Sequence, residues 1–139
     1  NRSTRCLAEA DSGFRATPDT MTAAQQVAHT AQTLDWLRDG MFDDNWDMDF
    51  EKAAAAANAF ASLAAARNEL DAAWSRLEAR VEASSEAELA QPLADNPILG
   101  VRPRYGVINA VVDHTGHHRG ALTVYARLAG KVPEMPYGD

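Results

Sequence analysis

Apolar residues recur along most of this chain at three- and four-residue steps, and nowhere do they alternate as a strand would. Ala23, Val27, Leu34 and Leu37 form one such stripe, which predicts a helix over residues 22 to 38. Thr22 with Gln25 three positions on is a capping box that starts it, and Gly40 is its predicted stop. Phe60, Leu63, Ala64, Leu70, Trp74, Leu77 and Val81 predict a single long helix over residues 50 to 82, whose alanine run at 53 to 57 allows close helix approach. Val107, Val111, Leu122 and Tyr125 predict a last helix from Pro103 or Arg104 to Leu128, stopped by Gly130 and Pro133. Residues 1 to 10 read as the tail end of a helix, broken by Gly13 and Pro18. Residues 41 to 48 are a predicted loop whose aromatics must fold back onto the helices. In the linker over 84 to 105, Ser85 caps one short turn. Helices of these lengths in series predict an all-α, up-and-down four-helix bundle with a truncated first helix.

The last stripe carries an unusual pair. With Val111 at zero and about 100° per residue, Val107, His114, His118, Leu122 and Tyr125 all fall within about 60° of it. His114 and His118 therefore point inward one turn apart, while His117 falls on the flank. Two buried imidazoles need hydrogen-bond partners, and protonating both side by side is costly. One metal ion held by both resolves the problem, since neutral imidazole suits zinc, nickel, copper or iron. The remaining histidine, His29, shares a helix face with Gln25, Gln26, Thr33 and Trp36. It can complete a three-nitrogen site with open positions, although such a mixed face also suits solvent and an HxxxH spacing by itself is weak evidence.

Composition narrows the partners. The 139 residues are 46% hydrophobic and 24% charged, a globular balance, and the net charge is −7. That charge argues against nucleic acid, which needs a basic patch. No apolar run approaches the ~20 residues of a membrane span. Cys6 is the lone cysteine, so it forms no internal disulfide and reads as an ordinary thiol or a nucleophile. The cluster Asp43, Asp44, Asp47 and Asp49 lacks the glycine and closing glutamate of a calcium loop and reads as solvated acids, with Asp47 or Asp49 as a helix cap. No signal peptide is visible, so cytoplasm is the expected compartment. The chain opens on Asn1 without methionine, which leaves a preceding targeting segment open.

The stretch His114, Thr115, Gly116, His117, His118, Arg119, Gly120 resembles the closing HxxxHRGQ motif of the DinB-like superfamily of bacterial helical bundles. The segment from Thr22 to His29 is similar to that family's second-helix motif, and the ending from Val132 and Pro133 to Tyr137 and Gly138 resembles its tail. The resemblance spans essentially the whole chain, whose 139 residues fit one domain over residues 1 to 139. It implies a divalent metal, nickel or zinc, held by His29, His114 and His118. It also implies the chemistry of characterised relatives, thiol-dependent S-transferases and a maleylpyruvate isomerase that use low-molecular-weight bacterial thiols. A small thiol or electrophile is then the expected partner; a homodimer is expected because small bundles often associate, and the charge and hydropathy above leave no nucleic acid and no membrane. Two departures stand out: Ala121 occupies the motif's usual glutamine, and the first helix is short.

Several readings stay open at this point. Gln25, Gln26, Thr33, Trp36 and Tyr125 are expected to line the pocket. Arg119 could pair with an anionic substrate or form a structural ion pair, and His117 could be an acid/base at the rim or an exposed helix residue. A metal-binding stress-response bundle that works by association, without catalysis, competes with the enzyme.

Overall fold

The computed structural model describes residues 2–137. Asn1, Gly138 and Asp139 lie outside the described residues, and so does the end of the expected tail. The fold is an all-α helical bundle. Its helices are α1 (Ala23–Asp43), α2 (Phe50–Asn58), α3 (Leu63–Glu82), α4 (Glu86–Leu89) and α5 (Val107–Leu128). Single 3-10 turns occupy Arg2–Thr4, Glu9–Asp11 and Arg104–Gly106. Among the described residues no helix is long and apolar enough to cross a membrane.

α1 is the element on which α2, α3 and α5 pack. Its start forms as the sequence predicts: Thr22 Oγ1 accepts from Gln25 N (3.2 Å), and Gln25 Oε1 accepts from Thr22 N (2.8 Å). Two core clusters lie along it. Near its start Ala24, Val27 and Ala28 meet Leu63 and Ala66 of α3 and Leu122 and Ala126 of α5. Near its end Leu37 and Met41 meet Ala73 and Leu77 of α3 and Val107 and Val111 of α5. The long helices α1 and α3 are therefore parallel and α5 runs against both, which modifies the expected up-and-down order. The reason is the return made by residues 44 to 62, which carries the chain back to the starting end before α3 begins.

That return also corrects the single helix expected over 50 to 82. Ser62 is an N-cap inside it, accepting from Ala65 N (3.1 Å). Two more of the amides that a helix start leaves without partners are met from the N-terminal segment: Ser12 Oγ accepts from Leu63 N (2.9 Å) and Glu9 Oε2 from Ala64 N (2.8 Å). Ser62 is the local part of the signal; the other two partners come from over fifty residues away. Asp49 caps α2, accepting from Lys52 N (2.9 Å), and Ser85 caps α4, both as expected.

Residues 2 to 10 do not form the expected helix end. Two 3-10 turns stand there instead, with Leu7 fully buried as the plug and Arg67 donating to the carbonyls of Thr4 (2.9 Å) and Leu7 (3.0 Å). A segment with one large apolar residue has no helical stripe to bury, so cross-chain hydrogen bonds shape it.

Gly40 is not the stop of α1. The helix runs on to Asp43 and ends at Asp44, which is left-handed (φ 53°). Met41 and Phe42, expected in the loop, are buried in its last turn. Gly40 is needed for space: a Cβ there would lie 2.6 Å from the ring of Trp46, which folds back edge-on to Trp36 (centroids 4.9 Å apart). The stop expected at Gly130 does form, as a Schellman end with φ 76°, Gly130 N donating to Arg127 O (3.0 Å) and Lys131 N to Ala126 O (2.9 Å).

The two kinds of helical glycine should separate in a stability measurement. Gly40→Ala should destabilise by about 1–3 kcal/mol through overpacking against Trp46. Gly120→Ala, with open space at its Cβ, should be neutral or stabilising by up to about 1 kcal/mol. Urea midpoints of the two variants check this; equal shifts would refute the packing role of Gly40.

Candidate metal centre

His29 lies two turns into α1, beyond the capping box that sets the register of that helix. His114 and His118 lie one turn apart on α5, on the face buried with Val111 and Leu122. Where the two helices meet, the three rings form a near-regular triangle. Centroids are 5.1 Å apart for His29 and His114, 4.9 Å for His29 and His118, and 4.5 Å for His114 and His118. One nitrogen from each ring lies within 4.8 Å of the others, and this arrangement could hold a metal ion. No other group of three such side chains converges among the described residues.

The rings are neutral at ordinary pH. Burial, reinforced by the charge of neighbouring histidines, pushes His118 down to about 3 and His114 down to about 4, and burial likewise lowers His29. Neutral imidazoles keep lone pairs to donate. His114 Nε2 is buried and has no hydrogen-bond partner. An orphaned buried nitrogen is costly unless something fills it, and a divalent ion between three imidazoles would do so. The donor set, three nitrogens without a carboxylate or thiolate, suits zinc, nickel, copper or iron.

The other expected site residues divide. Gln26 reaches the triad, its Oε1 lying 2.5 Å from His118 Nδ1. Gln25 is occupied by the helix cap and by Asn58 O (3.2 Å). Thr33 Oγ1 donates to the backbone oxygen of His29 (3.0 Å), and Trp36 Nε1 to Asp47 O (2.8 Å). Tyr125 is not at the pocket edge: its hydroxyl donates to Met21 O (2.9 Å) and its ring packs against Phe14 in the core. At α1's first turns the face of α5 that Tyr125 occupies looks onto core, not onto polar side chains.

His117 stands outside the triad, exposed, its ring centroid 4.8 Å from that of His118. Arg119 is half-buried on the neighbouring face of α5. It lines a groove of about 420 Å³ between α1, α3 and α5, with Arg67, Leu70 and Trp74 opposite, and none of the three histidines lines that groove. Cys6 is half-buried against the first core cluster, its Sγ 3.9 Å from Ser3 O. Three acids of the 43–49 segment have protein partners: Asp47 pairs with Lys52 (3.1 Å), Asp44 with the distant Arg104 (3.6 Å), and Asp49 caps α2. What the sequence did not reveal was the partner of His118. Gln26 lies on the face of His29, three positions before it, but nothing in the spacing ties it to one ring across the interface.

The sequence profile of the DinB superfamily matches residues 2–122. A DinB-like protein from Bacillus subtilis, known from a crystal structure, superposes with a TM-score of 0.67 at 17% identity, over 96% of this chain and 85% of its own. At that identity it supports the fold alone. No curated protein matches the chain.

The depressed histidines make metal-free protein acid-sensitive in a defined window. Each takes up its proton near pH 6.5 when unfolded but only well below that when folded. Between those values the unfolded chain binds more protons, so stability is complete above about pH 6.5 and falls as the pH drops below it. Denaturant midpoints at pH 7 and pH 5, with metal chelated, should show this loss, and His118→Gln should reduce it. A wild-type midpoint that does not move refutes the buried, neutral state of the triad.

Proposed function

Because the chain belongs to the DinB superfamily, we propose that it is a divalent-metal protein with His29, His114 and His118 as ligands, and that it activates a low-molecular-weight thiol for S-transfer. The observation that carries the reading is the orphaned His114 Nε2 inside a triangle of neutral imidazoles. Nickel or zinc fits those donors. His29, His114 and His118 would hold the ion through three nitrogens, and it would supply a Lewis acid with open positions, able to lower the pKa of a small thiol. The protein's share is to hold three lone pairs on one point and to keep the rings unprotonated. It also places His117 at the exposed edge, where a side chain can pass a proton to solvent.

A non-catalytic metal-binding bundle that works by association is the second reading. Two features favour it: the 420 Å³ groove lies apart from the triad, and α5 exposes Val112, Val124 and Leu128.

Metal analysis comes first. Wild-type protein should take up one zinc or nickel ion per chain, and His118→Ala should lose it. Equal metal in both refutes the three-histidine site. Metal-loaded wild type should then consume a small thiol in the presence of an electrophile, while the metal-free protein should not. No consumption across a broad panel of thiols and electrophiles would favour association over catalysis.

A further inference from the structure

His118 is the buried member of the triad, 7% exposed. A ring in that position can donate to a metal only if the nitrogen facing the other two histidines is free of its proton. The tautomer is therefore a condition of the site. Gln26 Oε1, 2.5 Å from His118 Nδ1, supplies it. A carboxamide oxygen carries lone pairs and no proton, so the hydrogen in this contact belongs to the imidazole. Nδ1 is then protonated, and the lone pair is on Nε2. The reversed amide would present N–H to Nδ1, move the ring proton to Nε2 and remove His118 as a donor.

Gln26 is itself held. It lies in the second turn of α1, its N–H bonded to Thr22 O (2.9 Å) and its carbonyl accepting from Thr30 Oγ1 (2.8 Å), beside the buried Val27 and Ala28. On α5 the residues one turn beyond His118 on its side of the helix are Ala121 and Leu122, whose side chains have no polar atom to offer. Polar support for His118 thus comes from the facing helix. We propose that Gln26 is a positioning residue that fixes His118 as the Nδ1–H tautomer and so turns the α1–α5 contact into a three-nitrogen donor set. The tautomer part stands on this contact alone; its consequence for metal affinity rests on the metal reading above.

The test uses metal-free protein labelled with 15N-histidine, with His118 assigned by His118→Ala, and zinc as the metal probe. Wild type should show Nδ1 protonated and Nε2 bare. Gln26→Leu, which removes the acceptor, should lose that preference and weaken zinc binding about 10- to 100-fold, as expected when a ligand loses its orienting partner. Gln26→Glu keeps an acceptor in place and should retain both the tautomer and zinc affinity, which keeps the test decisive if the leucine variant folds poorly. A neutral His118 with its proton on Nε2 in wild type or in Gln26→Glu, an unchanged tautomer in folded Gln26→Leu, or equal zinc affinity in Gln26→Leu and wild type would each overturn the proposal. If wild type takes up no zinc while the tautomer responds to Gln26→Leu, the metal reading fails and the tautomer assignment holds.

Discussion

Three imidazoles share one small volume where α1 crosses α5, and their burial and proximity favour the uncharged form of each. Protonating one would place a cation, away from much of the solvent, beside two other partly or fully buried rings, and burial together with the charge of neighbouring histidines holds His114 and His118 far below the ordinary range. The cost of keeping them neutral falls on their hydrogen bonding. His118 has Gln26, and His114 has an empty nitrogen. The site is thus a local conflict between packing and polar satisfaction, in a bundle whose other helices follow ordinary rules. Conflicts of this kind are where functional constraints show through.

The register that creates the triangle is set at a distance from it. Thr22 and Gln25 fix where α1 begins, and each later residue of that helix takes its bearing from them. α5 is fixed at both ends: Val107 and Val111 bury against the far end of α1, and Leu122 and Ala126 against the near end. A rigid α1 between two such clusters leaves little freedom for the helices to slide. Gln26 and His29 then meet His118 and His114 as a consequence of apolar packing on either side.

The N-terminal segment shows how a bundle can complete itself without a regular first helix. Leu7 supplies the apolar plug, while Ser12 and Glu9 take the unpaired amides of α3 and Arg67 returns two hydrogen bonds to the segment. Apart from Leu7 these contacts are directed hydrogen bonds, so irregular backbone at the bundle's edge can be ordered with few buried apolar groups. Asp11 adds an ion pair to Lys131, just past the end of α5.

What the sequence determined by itself was local and periodic. The start of α1, the caps at Asp49 and Ser85, the stop at Gly130, the inward face of His114 and His118 and the exclusion of His117 all follow from rules that act within a turn or two of helix. The tertiary structure decided what depends on residues far apart. It broke the 50–82 stretch, because Ser12 and Glu9 satisfy the start of α3. It carried α1 through Gly40, because Trp46 needs the missing Cβ. It sent Tyr125 to the core and tied Gln26 to His118. Helical spacing can say which way a side chain points, but what stands opposite it depends on the relative placement of two helices 92 residues apart at that contact, and no local pattern encodes that distance.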